Sequence, residues 1–259
     1  MAREHPLLGT GAGTYEQFWL RDRPLESDAR DAHSLYLETL AELGPLGLAL
    51  LAVALGAPLV AAARARRWRL LGAATGAYVV YVVHAAADWD WEMTAVTLTA
   101  LFCGMALLVA ARDESGPVRA GRRVRATLVV IALVGATLSL VGFLGNRSIV
   151  ATERAAGDDD WDLAESEARS AIRWTPWSAH GWQALGETQL QQAEFADARR
   201  SFRRALAKAP DDWNLWLNLA YASTGAEQRR AAERALALNP LSPEIERVRP
   251  AIGLPPADG

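Results

Sequence analysis

Hydrophobic and polar positions divide this chain between two solvents. From about residue 44 to residue 145 apolar residues run almost unbroken, and from Asn146 onward they recur singly among acids and bases. A helix needs about 20 mostly apolar residues to cross a hydrocarbon core about 30 Å thick. On that measure the pattern predicts four membrane helices, at about 44–63, 70–87, 94–111 and 128–144. The helices of a soluble bundle would each show a polar face at a period of 3.6, whereas Leu48-Ala-Leu-Leu-Ala-Val-Ala-Leu55 and Leu128-Val-Val-Ile-Ala-Leu-Val134 are apolar all round. Pro58, Gly72 and Gly76 are tolerable where neighbouring helices satisfy the backbone.

Charge then orients these helices. Arg64, Arg66, Arg67 and Arg69 follow the first, and Arg112, Arg119, Arg122, Arg123 and Arg125 follow the third, while Asp88-Trp-Asp-Trp-Glu92 between the second and third has no basic residue. Basic loops stay in the cytoplasm, so a multi-pass protein of the cytoplasmic membrane is expected, with both termini extracytoplasmic. Trp89 and Trp91 then fall at the outer headgroup level.

The polar tail has a period. Pro176 and Pro210 stand 34 residues apart and close similar phrases, Ala171-Ile-Arg-Trp-Thr-Pro176 and Ala205-Leu-Ala-Lys-Ala-Pro210, with a third ending at Pro240. That is tetratricopeptide spacing. The unit 179–212 carries Trp182, Leu185 and Gly186 on its first helix and Ala198, Phe202 and Ala205 on its second, with Gln189 where a tyrosine is usual. Small Gly186 and Ala198 let the helices approach while the large residues fill the seam. The preceding unit is expected to supply only a second helix, about 161–174, and the following one runs from Trp213 to Leu238. Six of the ten tryptophans lie in this tail, most as core and one or two as surfaces for a sugar or a partner.

The domain plan is therefore an extracytoplasmic loop at 1–43, a membrane domain at 44–145 and an extracytoplasmic helical-repeat domain at 146–259, all-α throughout. The net charge of -3 leaves no cationic face for a phosphate backbone, so nucleic acid is excluded as a partner. The single cysteine, Cys103, rules out an internal disulfide and a multi-cysteine zinc site. No metal or cofactor is expected; Asp88, Asp90 and Glu92 alternate like metal ligands but read better as a hydrated turn. Membrane lipid and a protein bound by the repeats are the expected neighbours.

The N-terminal loop holds the most specific phrases. His5-Pro-Leu-Leu-Gly-Thr-Gly-Ala-Gly-Thr-Tyr15 is followed by His33-Ser-Leu-Tyr-Leu-Glu-Thr-Leu-Ala-Glu-Leu-Gly-Pro-Leu-Gly47. The glycines lack the spacing of a dinucleotide fingerprint. Over residues 5–47 the sequence resembles the O-antigen ligase and polymerase family, and Val83-His-Ala-Ala-Ala-Asp-Trp89 is similar to that family's later outer loop. The resemblance implies a glycosyltransferase that takes a polyprenyl-diphosphate-linked glycan to a glycan or lipid acceptor, with further membrane helices preceding residue 1.

By that resemblance His33 is the catalytic base. Such a transfer needs a base for the acceptor hydroxyl and cations for the leaving diphosphate. Arg21, Arg23 and Arg30 are candidate diphosphate ligands, Glu38 and Glu42 are candidates for orienting His33 or contacting the acceptor, and His84 is a candidate cavity residue. The plainer reading of His33 is an interfacial residue where a helix starts, with Asp31 as N-cap; the arginines and glutamates equally suit a solvated loop. The competing function is a non-enzymatic, membrane-anchored repeat scaffold in polysaccharide export or assembly.

Overall fold

The computed structural model describes residues 6–26, 29–65, 70–111 and 121–255, and the described residues form helices, turns and loops. Two compact units are formed, Met1–Arg23 with Ser27–Val118, and Pro24–Glu26 with Arg119–Gly259.

The first unit contains α1 (Tyr15–Asp22), α2 (Leu35–Arg64), α3 (Leu71–His84), a 3-10 turn at Asp90–Glu92, and α4 (Thr94–Ala110). Ser34 caps α2 by accepting the N–H of Leu37, so the N-cap is Ser34 and not Asp31. Inside α2, Gly44 leaves helical geometry at φ 67° and ψ -172°, a conformation open to a residue without Cβ. Pro45 restarts the helix where its missing N–H costs nothing. A short amphipathic piece thus precedes an apolar piece.

Further along, Pro58 cannot donate to the carbonyl of Ala54, and beside that gap the Tyr78 hydroxyl donates to the Leu55 carbonyl at 3.0 Å. Tyr78 is buried together with Ala74, Ala100 and Leu107. Gly104 makes this packing close: a Cβ there would lie 3.0 Å from the Tyr78 ring and 3.3 Å from Pro58.

The expected four spanning helices reduce to two. Among the described residues, α2, with 30 residues, and α5, with 36, are the helices long and apolar enough to cross a membrane. At 14 and 17 residues, α3 and α4 reach about 21 and 26 Å at 1.5 Å per residue, short of the hydrocarbon core. In α3 the shortfall arises because Ala85, Ala86 and Ala87 turn instead of extending the helix. Arg66, Arg67, Arg69, Arg112 and Arg119, on which the orientation partly rests, lie outside the described residues, as does His5.

The second unit contains α5 (Arg122–Gly157), α6 (Trp161–Trp174), α7 (His180–Gln191), α8 (Phe195–Leu206), α9 (Trp213–Ala222), α10 (Gly225–Leu238) and α11 (Pro243–Val248). The first half of α5 exposes Leu128, Val129, Val130, Ile131, Leu133 and Val134, each more than half accessible. Consecutive residues cover every direction around the axis, so no single protein face could bury them. Its second half buries Gly145, Ser148, Thr152 and Ala155.

This second half is the first helix of a repeat, which corrects the expectation that the leading unit has only a second helix. The turn after α5 places Asp159 at φ 58°, and the turn after α7 places Ala193 at φ 60°, 34 residues later. The same shift relates the hydrogen bonds Asp160 N–H to Ala155 C=O and Glu194 N–H to Gln189 C=O, both 2.9 Å. It also maps Ala164 and Ala168 onto Ala198 and Phe202, all four fully buried.

In the central repeat Gly186 abuts the Phe202 ring, where a Cβ would come within 2.6 Å. Burying a phenylalanine contributes about 1.5–3 kcal/mol. Gln189, in the place of the usual tyrosine, is buried and accepts the Ser201 hydroxyl at 2.7 Å, so α7 and α8 keep a polar tie inside the seam. After α10, Ile245, Ile252 and Leu254 close the core; this capping segment was not expected. Of the tail tryptophans, Trp174 and Trp177 are exposed, while Arg204 stacks on Trp182 with Cζ 4.6 Å from the ring centre.

Candidate functional site

In the first unit Glu42 joins the Gly-rich loop to the start of α2. Gly9 lies on the backbone of the α2 kink, where a Cβ would stand 2.3 Å from the Glu42 carbonyl. Backbone bonds from Thr10 N–H to Ala41 C=O and from Gly11 N–H to Glu42 C=O fasten the loop. The Glu42 carboxylate accepts the N–H groups of Gly13 at 2.9 Å and Tyr15 at 3.0 Å. Glu42 therefore holds the loop in shape.

Glu38 accepts the Ala32 N–H at 3.0 Å and stands with Asp31 and Glu92, their carboxylate oxygens within 4.8 Å of one another. Glu92 is pushed above the usual carboxylate range, first by burial and then by its hydrogen bond and charge contact with Asp31; Arg30 opposes the shift. His33 is exposed, with left-handed backbone at φ 49°. Arg21 pairs with Asp22 at 2.9 Å and stacks on Phe18 at 4.6 Å, and Arg23 is buried. Arg30 lies within electrostatic reach of Glu92, and the neighbouring Asp31 belongs to the acidic cluster. His84 pairs through Nδ1 with Asp90 at 2.9 Å, at the edge of an apolar cavity of about 500 Å³ between α3 and α4.

The repeat unit carries the better-built site. A groove of about 350 Å³ runs between the second half of α5 and α7, with Trp161 at one side. Ile149, Thr152 and Ala156 line it from α5, and His180, Gln183, Ala184, Glu187, Thr188 and Gln191 from α7. Gln183 and Glu187 are one turn apart, and Gln183 Nε2 donates to Glu187 Oε1 at 2.9 Å. From α9, Asn218 Nδ2 donates to the same oxygen at 3.0 Å.

Burial raises the Glu187 carboxyl above its ordinary value, the two amide bonds oppose this, and the charges of Glu153 and Asp212 add to the rise. A carboxylate kept in a groove against its solvation preference is a candidate functional group. Sequence reasoning missed Gln183, Glu187 and Asn218. The available signal was the polar pair at i and i+4 on α7, facing away from the Leu185 seam.

Residues 179–222 match the tetratricopeptide repeat family model. The chain is also similar to the cytochrome c-type biogenesis protein CycH of Pseudomonas aeruginosa, with 31% identity over 137 residues, 50% of this chain and 33% of that protein. It thus spans about a third of the length of the curated relative it matches. These findings overturn the resemblance to the O-antigen ligase and polymerase family, and with it the glycosyl transfer, the lipid-linked glycan and the place in polysaccharide assembly. What the comparisons support is a helical chain with a tetratricopeptide repeat, similar in part to a protein of cytochrome c-type biogenesis.

Proposed function

We propose that this chain is a membrane-anchored tetratricopeptide adaptor that holds a segment of a partner protein in the groove between α5 and α7. The observation that carries the reading is the double role of α5. One half is apolar and exposed all round, as a lipid-embedded helix must be, and the other half is the first helix of the repeat stack. A groove lined by that helix stands at a set distance from the bilayer.

The apolar part of α2, with Arg64 at its end, is the second anchor, and α3 and α4, which follow it in the chain, form a shorter apolar hairpin. With Arg122, Arg123 and Arg125 in the cytoplasm, the repeats lie on the extracytoplasmic side. Partial identity with a cytochrome c-type biogenesis protein supports the assembly of c-type cytochromes as the process served. The chemistry assigned to the groove is binding.

Deletion of the chain, followed by haem-stained measurement of c-type cytochromes, tests this reading. Cytochrome content should fall and be restored by the wild type but not by Ala156→Trp, which fills the groove. Unchanged content in the deletion strain would remove the process, and full rescue by Ala156→Trp would remove the groove.

A further inference from the structure

Resting on the reading of the groove as a protein-binding site, we propose that it selects a segment bearing a lysine or arginine, whose cation is received by Glu187. Both amide donors to this carboxylate, from Gln183 and Asn218, reach the same oxygen, Oε1. Among the described residues Oε2 accepts no hydrogen bond, so one oxygen is fixed in place and the other is open to a ligand. Two helices hold the carboxylate before any ligand arrives, which lowers the ordering cost of binding.

Charge complementarity names the occupant. Glu153 lines the same groove, and Asp212 lies within electrostatic reach of Glu187. Among the described residues neither lysine nor arginine lines the groove, and His180 is the one lining side chain there able to carry positive charge. An acidic segment would add repulsion to an already desolvated acid, and a wholly apolar one would leave Oε2 without a partner. An ammonium or guanidinium supplies both the charge and the donors. Ile149, Ala156 and Trp161 provide apolar walls for the stem of such a side chain.

The test is panning of a random twelve-residue peptide library, displayed on phage, against the full chain in lipid nanodiscs, beside Glu187→Gln and Ala156→Trp. Glutamine keeps the shape and still accepts both amides, and thermal melting checks that each variant is folded. The wild type should enrich segments with lysine or arginine at one register, and Glu187→Gln should bind a selected peptide at least about tenfold more weakly, as loss of a charge-assisted hydrogen bond implies. Selection of segments without that cation, still blocked by Ala156→Trp, would overturn the cation proposal and leave the groove reading standing. Peptides indifferent to Ala156→Trp, or neither peptide selection nor self-association, would overturn both. Self-association abolished by Ala156→Trp, with no peptide selected, would make a second copy of the chain the occupant and would also overturn the proposal.

Discussion

Asn218 on α9 and Gln183 on α7 both donate to Oε1 of Glu187, at 3.0 and 2.9 Å, so a single carboxylate at the groove's α7 wall ties two successive repeats together. The tie sits where the carboxylate is partly stripped of water, and this sets stability against binding.

Glu187→Gln should leave the fold as stable as the wild type or more so at neutral pH. The folded state raises the Glu187 pKa, chiefly by burial. Its contribution is therefore fully present below the unfolded value and is lost as pH rises through the raised folded value. Melting temperatures of wild type and variant, compared across pH, should show the wild type losing ground to the variant between those two values. A variant markedly less stable at pH 7 would contradict the assignment.

Acid should weaken a cationic peptide's hold on the wild-type groove. Protonation of Glu187 removes the charge it would meet, with the onset at a higher pH than for an ordinary glutamate. Glu153 on α5, Asp212 ahead of α9 and His180 on α7 are the other ionisable groups near this carboxylate. Binding isotherms against pH, wild type beside Glu187→Gln, separate the part that belongs to Glu187.

Gly186→Ala should cost about 1–3 kcal/mol, the usual penalty for overpacking, because the new methyl meets the Phe202 ring at 2.6 Å. Chemical denaturation followed by tryptophan fluorescence reads this. A neutral result would mean that α7 and α8 are less closely packed than described.

Ser148→Pro should destabilise the repeats by about 3 kcal/mol or more. It breaks α5 where apolar helix becomes repeat helix, and Ser148 is buried there. Proteolysis of the variant in nanodiscs should release fragments from the repeat unit. Wild-type resistance would show that the second half of α5 is not needed by α6 and α7.

Much of this architecture was legible from sequence, and the exceptions have physical causes. The central repeat stood out because Trp182, Leu185, Gly186 and Phe202 are large or small where the seam demands it. The first repeat was half hidden: at the positions of Trp182, Leu185 and Phe202 it has Ser148, Ala151 and Ala168, so the large residues that mark the pattern are missing. Its first helix is also continuous with an apolar run, which masks the change of solvent.

Apolar length misled in the other direction. Composition qualified α3 and α4 as spans, yet three alanines that turn after His84 shorten α3, and helix propensity does not register such a turn. The N-terminal phrases pointed to a catalytic loop, and the structure uses their glycines and Glu42 to fasten loop to helix. Glu187 escaped notice because its partner Asn218 lies 31 residues away and meets it only when repeats stack.

Site-specific photocrosslinking in native membranes tests the central claim most directly. A crosslinker at Gln183, inside the groove, should join the full chain to a partner protein, and the adduct should disappear with Glu187→Gln or Ala156→Trp. A crosslinker at exposed Arg229 on α10 should not form it. An adduct of equal yield from both positions, or one that survives groove filling, would contradict a membrane-anchored repeat groove as the place where this chain binds its partner.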